Sequence, residues 1–346
     1  MRILHVAHFD WFVSRSRDQY KLGRYYSTDC KINNGLIRNG HCVRNLSERD
    51  SARNLAPMIA SKKLGKGRLQ HYFLQVVDAV QPDLIILGHS YLLEPRTLAQ
   101  LRATFPACRI AQWWVDDFAS HKVAALRELQ PHLDAFFATT APAYYRQYFE
   151  DSSTALYYLP NIVDSSVETG RAFAASSHRY DLFFAGSNNL ERAQFLQLFE
   201  QDASIRTGFF GFGNQETLSG PKLASAIEAS KFGLNLSQHT QIPLYSSDRL
   251  SQLAGNGVLV CTPETPDMKA VISDKEAVYF KDAADLQKKL HRYLEDDTHW
   301  RAIAEAGWNR VHRCYNEQRI TKFMIEAAMA DPFSEDYPWL EYAISP

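Results

Sequence analysis

Short apolar runs that end in polar loops recur along this chain, and between them apolar positions fall at helical spacing. Residues 3–7 form the first run and break into His8-Phe9-Asp10-Trp11. Runs at 82–89, 108–117, 135–139 and 155–159 repeat it, with helices predicted over 95–104, 118–129 and 142–149. Strands apolar on both faces suit a parallel sheet covered by helices, so the first half predicts a doubly wound α/β domain. Residues 34–43 read as a helix closed by Gly40 that runs into a strand. An apolar helix over 72–80 follows the basic cluster Lys62, Lys63, Lys66 and Arg68, best explained as a solvated helix start. Residues 14–31 are polar and weakly patterned, and predict a loop or lid.

The pattern pauses at 165–178, a small and polar stretch with the composition of a linker, and then restarts. A strand with a Gly-Ser loop is predicted over 180–189, a helix over 190–199, another over 222–230 and a strand over 232–236. Residues 246–262 hold helix-capping candidates (Ser246, Ser247, Asp248) and a short helix with Leu250, Leu253 and Ala254 on one face. Gly255-Asn256-Gly257 stops that helix, and a buried strand follows over 258–261. A strand at 278–280 and helices over 282–295, 299–314 and 320–329 complete the second half. The tail, 332–346, carries Phe333, Tyr337, Trp339 and Tyr342 and should pack on the body.

Composition narrows the reading. With 346 residues the chain suits two domains, and 45% hydrophobic with 22% charged residues is ordinary for a globular protein. A net charge of −1 gives no sign of a general nucleic-acid binder. Five scattered cysteines without a CxxC pair argue for reduced thiols in a cytoplasm and against a zinc site. No signal peptide and no apolar run near ~18 residues is present.

Candidate chemistry concentrates in the second half. Arg249 and Gln252 lie three apart at a predicted helix start, where free N–H groups and a forked cationic donor suit a phosphate. Gly186-Ser187, with Arg192 in the following helix, is a plausible phosphate-binding turn, though neither a Walker loop nor a GxGxxG. In the first half, His8, Asp10, Asp116 and Asp117 follow predicted strands at the sheet's carboxyl edge; a turn and a helix cap are the alternative readings.

Taken together, these segments resemble the GT-B glycosyltransferases, and most closely the bacterial enzymes grouped with the spore protein CgeB. The resemblance rests on Phe184-Ala185-Gly186-Ser187 with Arg192, Ser-Lys-Phe-Gly-Leu-Asn-Leu-Ser at 230–237, and Asp248-Arg249-Leu250 through Gly257. Lys275-Glu276 before Val278-Tyr279-Phe280, and Ala304-Glu305-Ala306-Gly307, extend it. Looser echoes in the first half are Asn34-Gly35 with Gly40-His41, Pro82-Asp83, Trp114 to Asp117, and Leu159-Pro160-Asn161. In place of the aromatic and acidic residues that follow the family's arginine, this chain has Ser251 and Gln252.

The resemblance implies two facing Rossmann-like domains, 1–164 and 179–330, joined by 165–178. It also implies a C-terminal helix returning toward the N-terminal domain and a tail, 331–346, packed back on it. It implies transfer of a sugar from a nucleotide-diphosphate donor without a metal or other cofactor, the diphosphate held by Arg249 and the Gly186 loop. Ser187, Ser246 and Ser247 would lie near the phosphates, with Arg192 and Lys222 as weaker candidates. Asn235, Ser237 and Gln252 would meet the ribose or sugar hydroxyls. A glycan, lipid-linked or protein acceptor would enter from the loops at 8–11, 89–91 and 114–117. Asp10 or Asp117 would serve as base if the anomeric centre inverts. A cytoplasmic location is expected, with peripheral contact at the inner membrane surface as a secondary expectation. Two alternatives stay open: a nucleotide-sugar-binding module without catalysis, which Ser251 and Gln252 keep alive, and a nicotinamide-dependent enzyme, which the lack of GxGxxG disfavours. Sugar, nucleobase, acceptor, stereochemistry and oligomeric state are not specified by these residues.

Overall fold

Apolar strands and amphipathic helices sort into two α/β units, each with its own parallel sheet and core. The computed structural model describes residues 1–9, 26–57, 61–118, 123–149, 153–187, 190–211, 215–237 and 239–345. The first unit takes the described residues of Met1–Arg15, Thr28–Pro160 and Glu317–Pro346; the second takes those of Ser16–Ser27 and Asn161–Asn316.

In the first unit the chain runs through β1 (Arg2–Ala7), α1 (Thr28–Arg38), β2 (Cys42–Ser47), α2 (Glu48–Asn54), α3 (Lys62–Val80), β3 (Leu84–Leu87), α4 (Pro95–Thr104), β4 (Arg109–Trp114), α5 (Val123–Leu129), β5 (Ala135–Ala138), α6 (Pro142–Tyr145) and β6 (Ala155–Tyr158). The strands pair in parallel in the order β2-β1-β3-β4-β5-β6. Leu84 to Leu87 and Ala135 to Ala138 are buried at every position, the pattern of strands covered on both faces. Leu4, Val6, Ile85, Leu87, Ile110 and Phe136 meet Phe73, Val77, Leu98 and Leu126 from the helices in one core.

The second unit follows the same grammar with β7 (Tyr180–Ala185), α7 (Leu190–Glu200), β8 (Thr207–Phe210), α8 (Gly220–Glu228), β9 (Ser230–Leu234), α9 (Arg249–Gly255), β10 (Leu259–Pro263), α10 (Met268–Val271), β11 (Val278–Phe280), α11 (Ala283–Glu295) and α12 (Asp297–Cys314). Its order is β11-β10-β9-β7-β8, again all parallel. Asp282 and Asp296 cap α11 and α12 by accepting from the N–H groups of Asp285 and His299. Among the described residues no helix is long and apolar enough to cross a membrane.

A last helix, α13 (Glu317–Met329), belongs to the first unit. It packs so closely on α1 that a Cβ at Gly35 would overlap the Glu317 carbonyl. Arg38 pairs with Glu317, and the Asn39 amide donates to Thr321 Oγ1 at 2.9 Å. The tail then adds Ile344 to Leu156 by two antiparallel backbone bonds of 2.9 Å, with Trp339 and Tyr337 buried around Phe323.

Four expectations change. The unit boundary falls at 316–317 rather than 330, because α13 buries its apolar face on α1, β4 and β5. Residues 165–178 are packed rather than a loose linker. Asp164 organises a turn with Ser166, Glu168 and Ala172 are buried, and Gly170, Ala172 and Phe173 donate to Asn256 and Gly257. Helix α1 starts at Thr28, six residues before the predicted start, so residues 28–31 are helix rather than loop. Helix α3 starts at Lys62, which puts the basic cluster inside its first two turns.

Candidate active site

The order β11-β10-β9-β7-β8 makes the chain leave β7 and β9 in opposite directions, and that reversal opens a crevice at their carboxyl ends. Arg249, at the start of α9, spans the crevice. Its Nε donates to the Ala185 carbonyl at the end of β7 (3.0 Å), and its Nη1 donates to Leu236 O just beyond β9 (3.3 Å) and to Ser247 Oγ (3.1 Å). All three acceptors are neutral. Arg192 donates to the same Leu236 oxygen at 2.9 Å, so the two guanidinium groups lie within about 6 Å of each other. Both sit against the Phe184 ring, with Cζ atoms 4.8 and 5.8 Å from its centroid. Burial, and then Arg192, lower the Arg249 pKa to about 10, which leaves it cationic at neutral pH.

Arg249 borders a cavity of about 420 Å³, and its Nη2 has no hydrogen-bond partner among the described residues. Gly186 permits this, because a Cβ there would stand 2.8 Å from Nη2 and 2.9 Å from the Phe184 ring. The cavity is polar along Gly186, Ser187, Ser247, Asp248 and Gln252, and apolar along Phe183, Phe210, Leu218, Leu223 and Ile227. Tyr26, also of the second unit, borders it. One side suits phosphates and hydroxyls, the other a planar ring.

Asp248 does not cap α9 with its side chain. Its carboxylate accepts from Ser251 Oγ (3.0 Å) and from the Gln252 amide nitrogen (3.1 Å), which fixes how Gln252 presents itself. This latch escapes a sequence reading that treats positions 251 and 252 only as substitutes for other residues.

Four predicted contacts, Asn235, Ser246, Lys222 and Ser237, do not line the cavity. Asn235 and Ser246 are almost fully buried behind its wall; Asn235 donates to Thr262 Oγ1 (3.2 Å) and accepts from Ser247 Oγ (3.1 Å), so it braces the loop. Lys222 is mostly exposed and paired with Glu216 at 2.6 Å. Ser237 accepts from the Ser247 N–H at 3.4 Å and so supports that loop from outside the cavity lining. Ser187 is placed by Arg192, whose Nη1 donates to its carbonyl at 3.2 Å.

The first unit has its own reversal, between β1 and β3. The loops after those strands bring the rings of His8 and His89 to 6.4 Å, and His8 and Tyr91 to 6.3 Å. His89 stacks on Trp114 (4.1 Å, 12°), and its Nε2 lies 3.8 Å from Asp116 Oδ2. Glu48, at the start of α2, is completely buried; it accepts from Ser90 Oγ, Tyr91 N and Leu92 N at 2.6, 3.3 and 3.2 Å, with His8 Nε2 at 3.4 Å. Asp117 faces Tyr144, whose hydroxyl pKa rises to about 12 through burial, then Tyr148, with a smaller part from Asp117. Asp10 lies outside the described residues. Glu48 lies in no motif, so the sequence carries no signal for it. Among the described residues no group of three His, Cys, Asp or Glu side chains is arranged to hold a metal.

Residues 191–326 match the family described as glycosyl transferase-like. Two doubly wound units with this connectivity also match solved enzymes over nearly their whole length. HepE of Anabaena, in complex with UDP and glucose, superposes with a TM-score of 0.60 at 12% identity, covering 95% of this chain and 100% of that one. The fold is that of the GT-B glycosyltransferases. Sucrose-phosphate synthase of Thermosynechococcus elongatus has the same GT-B architecture, with a TM-score of 0.58, 14% identity, and coverage of 94% and 98%. A glycosyltransferase of Rickettsia africae gives 0.58 at 11% identity, covering 96% and 99%. No curated protein matches this GT-B chain in sequence.

Proposed function

We propose that this chain transfers a glycosyl group from a nucleotide-diphosphate sugar to a glycan, lipid-linked or protein acceptor, and that the second unit binds the donor. The observation that carries the reading is Arg249: a guanidinium spanning the β7–β9 crevice, hydrogen-bonded only to neutral oxygens, on the wall of a cavity. As the sugar leaves, negative charge builds on the diphosphate, and a fixed cation in a sheltered crevice stabilises that charge without a metal ion. Gly186 and Ser187 would border the phosphates, the apolar wall would take the base, and Gln252 would face a hydroxyl. HepE was solved with UDP, so a uridine donor is the first to try. In the first unit, His8, His89 and Asp117 lie beyond strands at the carboxyl edge, where an acceptor hydroxyl would be received and, for inversion, deprotonated.

Titration with UDP, GDP and dTDP followed by calorimetry tests donor binding, and a donor panel with product analysis tests transfer. Arg249→Ala that bound and turned over its donor like the wild type would refute the site. The Asp248-anchored amide of Gln252, in place of a carboxylate, favours a second reading as a non-catalytic nucleotide-sugar-binding module. Tight donor binding with no transfer or hydrolysis across the panel would select it.

A further inference from the structure

Outside the donor cavity, the first unit contains a second pair of converging cations. Arg49 Nη2 donates to the Tyr91 hydroxyl oxygen at 2.9 Å, and Lys62 Nζ donates to the same oxygen at 3.1 Å. Both also lie against the Tyr91 ring, 5.3 and 5.4 Å from its centroid. One neutral phenol oxygen therefore holds two full positive charges within about 6 Å of each other, a repulsive arrangement. Among the described residues neither has an ion-pair partner, and Arg49 Nε is buried with no hydrogen-bond partner. The nearby Glu48 carboxylate does not relieve them. Its oxygens are already taken by Ser90, by the Tyr91 and Leu92 amides, and by His8. Two neighbouring cations are matched, Arg53 with Asp50 and Lys66 with Glu94.

The arrangement comes from three elements that meet at the carboxyl edge of the first sheet. Arg49 is on α2 directly after β2, Tyr91 follows β3, and Lys62 opens α3. The donor cavity uses the same device, with two arginines converging on one neutral oxygen beside one aromatic ring. A forked guanidinium and an ammonium at this spacing match the oxygens of a phosphate group.

We infer that Arg49 and Lys62, carried by Tyr91, form an anion site in the first unit that binds a phosphate group. Its assignment to the acceptor rests on the transferase reading: the acceptor is then a phosphorylated molecule, gripped by its phosphate beside His8 and His89. Phosphate binding itself does not depend on that reading.

Inorganic phosphate is titrated by calorimetry at constant ionic strength into the Arg249→Ala protein, which lacks the central cation of the donor cavity. Saturable binding is expected, weakened at least tenfold by Arg49→Met or Lys62→Met and unchanged by Lys63→Met on the exposed side of the same helix start. Arg49→Lys keeps the charge and loses the fork, and should give an intermediate affinity in a folded protein. Co-sedimentation with phosphatidic acid vesicles, against phosphatidylcholine alone, identifies the source. Sedimentation lost in the same variants places the phosphate on a lipid, and binding of inorganic phosphate without sedimentation places it on a soluble molecule. Phosphate affinity unchanged in both methionine variants, or no saturable binding in either arm, overturns the site. Because no nucleotide is used, a failed donor assay leaves this result standing.

Discussion

At Arg249, three neutral oxygens hold a partly buried guanidinium in place on the wall of a cavity. Replacing it with alanine removes the charge that would meet a departing diphosphate, and turnover should fall about 10²- to 10³-fold in a transfer assay. Gly186→Ala tests the geometry rather than the charge. Its new methyl group would push Nη2 aside, so donor affinity should weaken about tenfold, close to 1.4 kcal/mol, with a calorimetric Tm near the wild-type value. Arg249 and the Gly186-Ser187 turn are legible in the sequence because a glycine after a buried strand and an arginine opening a helix are local signals. The Phe184 ring beneath both arginines is not, since one more aromatic in a strand reads as core. Asn235 and Ser246 point the opposite way: a polar residue after a strand and one before a helix suggest ligand contact, yet here they bond to one another across the loop base.

Among elements, strands were easier to read than helix ends. All-apolar runs such as Leu84–Leu87 have one use in an α/β protein, so their positions follow from pattern alone. The basic residues Lys62, Lys63, Lys66 and Arg68 read as the approach to a helix over 72–80, and the buried Gly65 and Leu69 show that they already belong to its first turns. The contact between α1 and α13 depends on residues nearly three hundred positions apart, which no local pattern reveals. Gly35→Val should therefore act as a wedge between those helices and cost about 1–3 kcal/mol, read as a lower urea midpoint. A polar clamp links β7 and β8. Burial alone would raise the Asp181 pKa, but the hydrogen bonds and charge of Arg206 lower it on balance. A carboxylate whose folded pKa lies below its unfolded value adds stability above that unfolded value, and the gain is lost as pH falls. The wild type should thus lose more stability than Asp181→Asn as pH drops below about 4, measured by urea unfolding at each pH.

For the whole molecule, two domains and the α/β class could be read from the repeating strand and helix grammar, while the return of the last helix to the first unit followed only from the family resemblance. The helix following Asn316 continues the spacing of α12, so local pattern alone puts the boundary after it, whereas its packing puts the boundary before it. Removing residues 317–346 should leave the second unit folded and loosen the first. Amide hydrogen exchange should then accelerate in α1 and β6 while β7 and β9 stay protected.

Translation order adds a further consequence. A unit closed by Glu317–Met329 cannot finish folding as its own first 160 residues leave the ribosome. At 5–20 residues per second, its sheet must wait roughly 10–30 s for that final helix to be synthesised. During that wait α1 has an uncovered face, and a chaperone acting on this protein would meet it there.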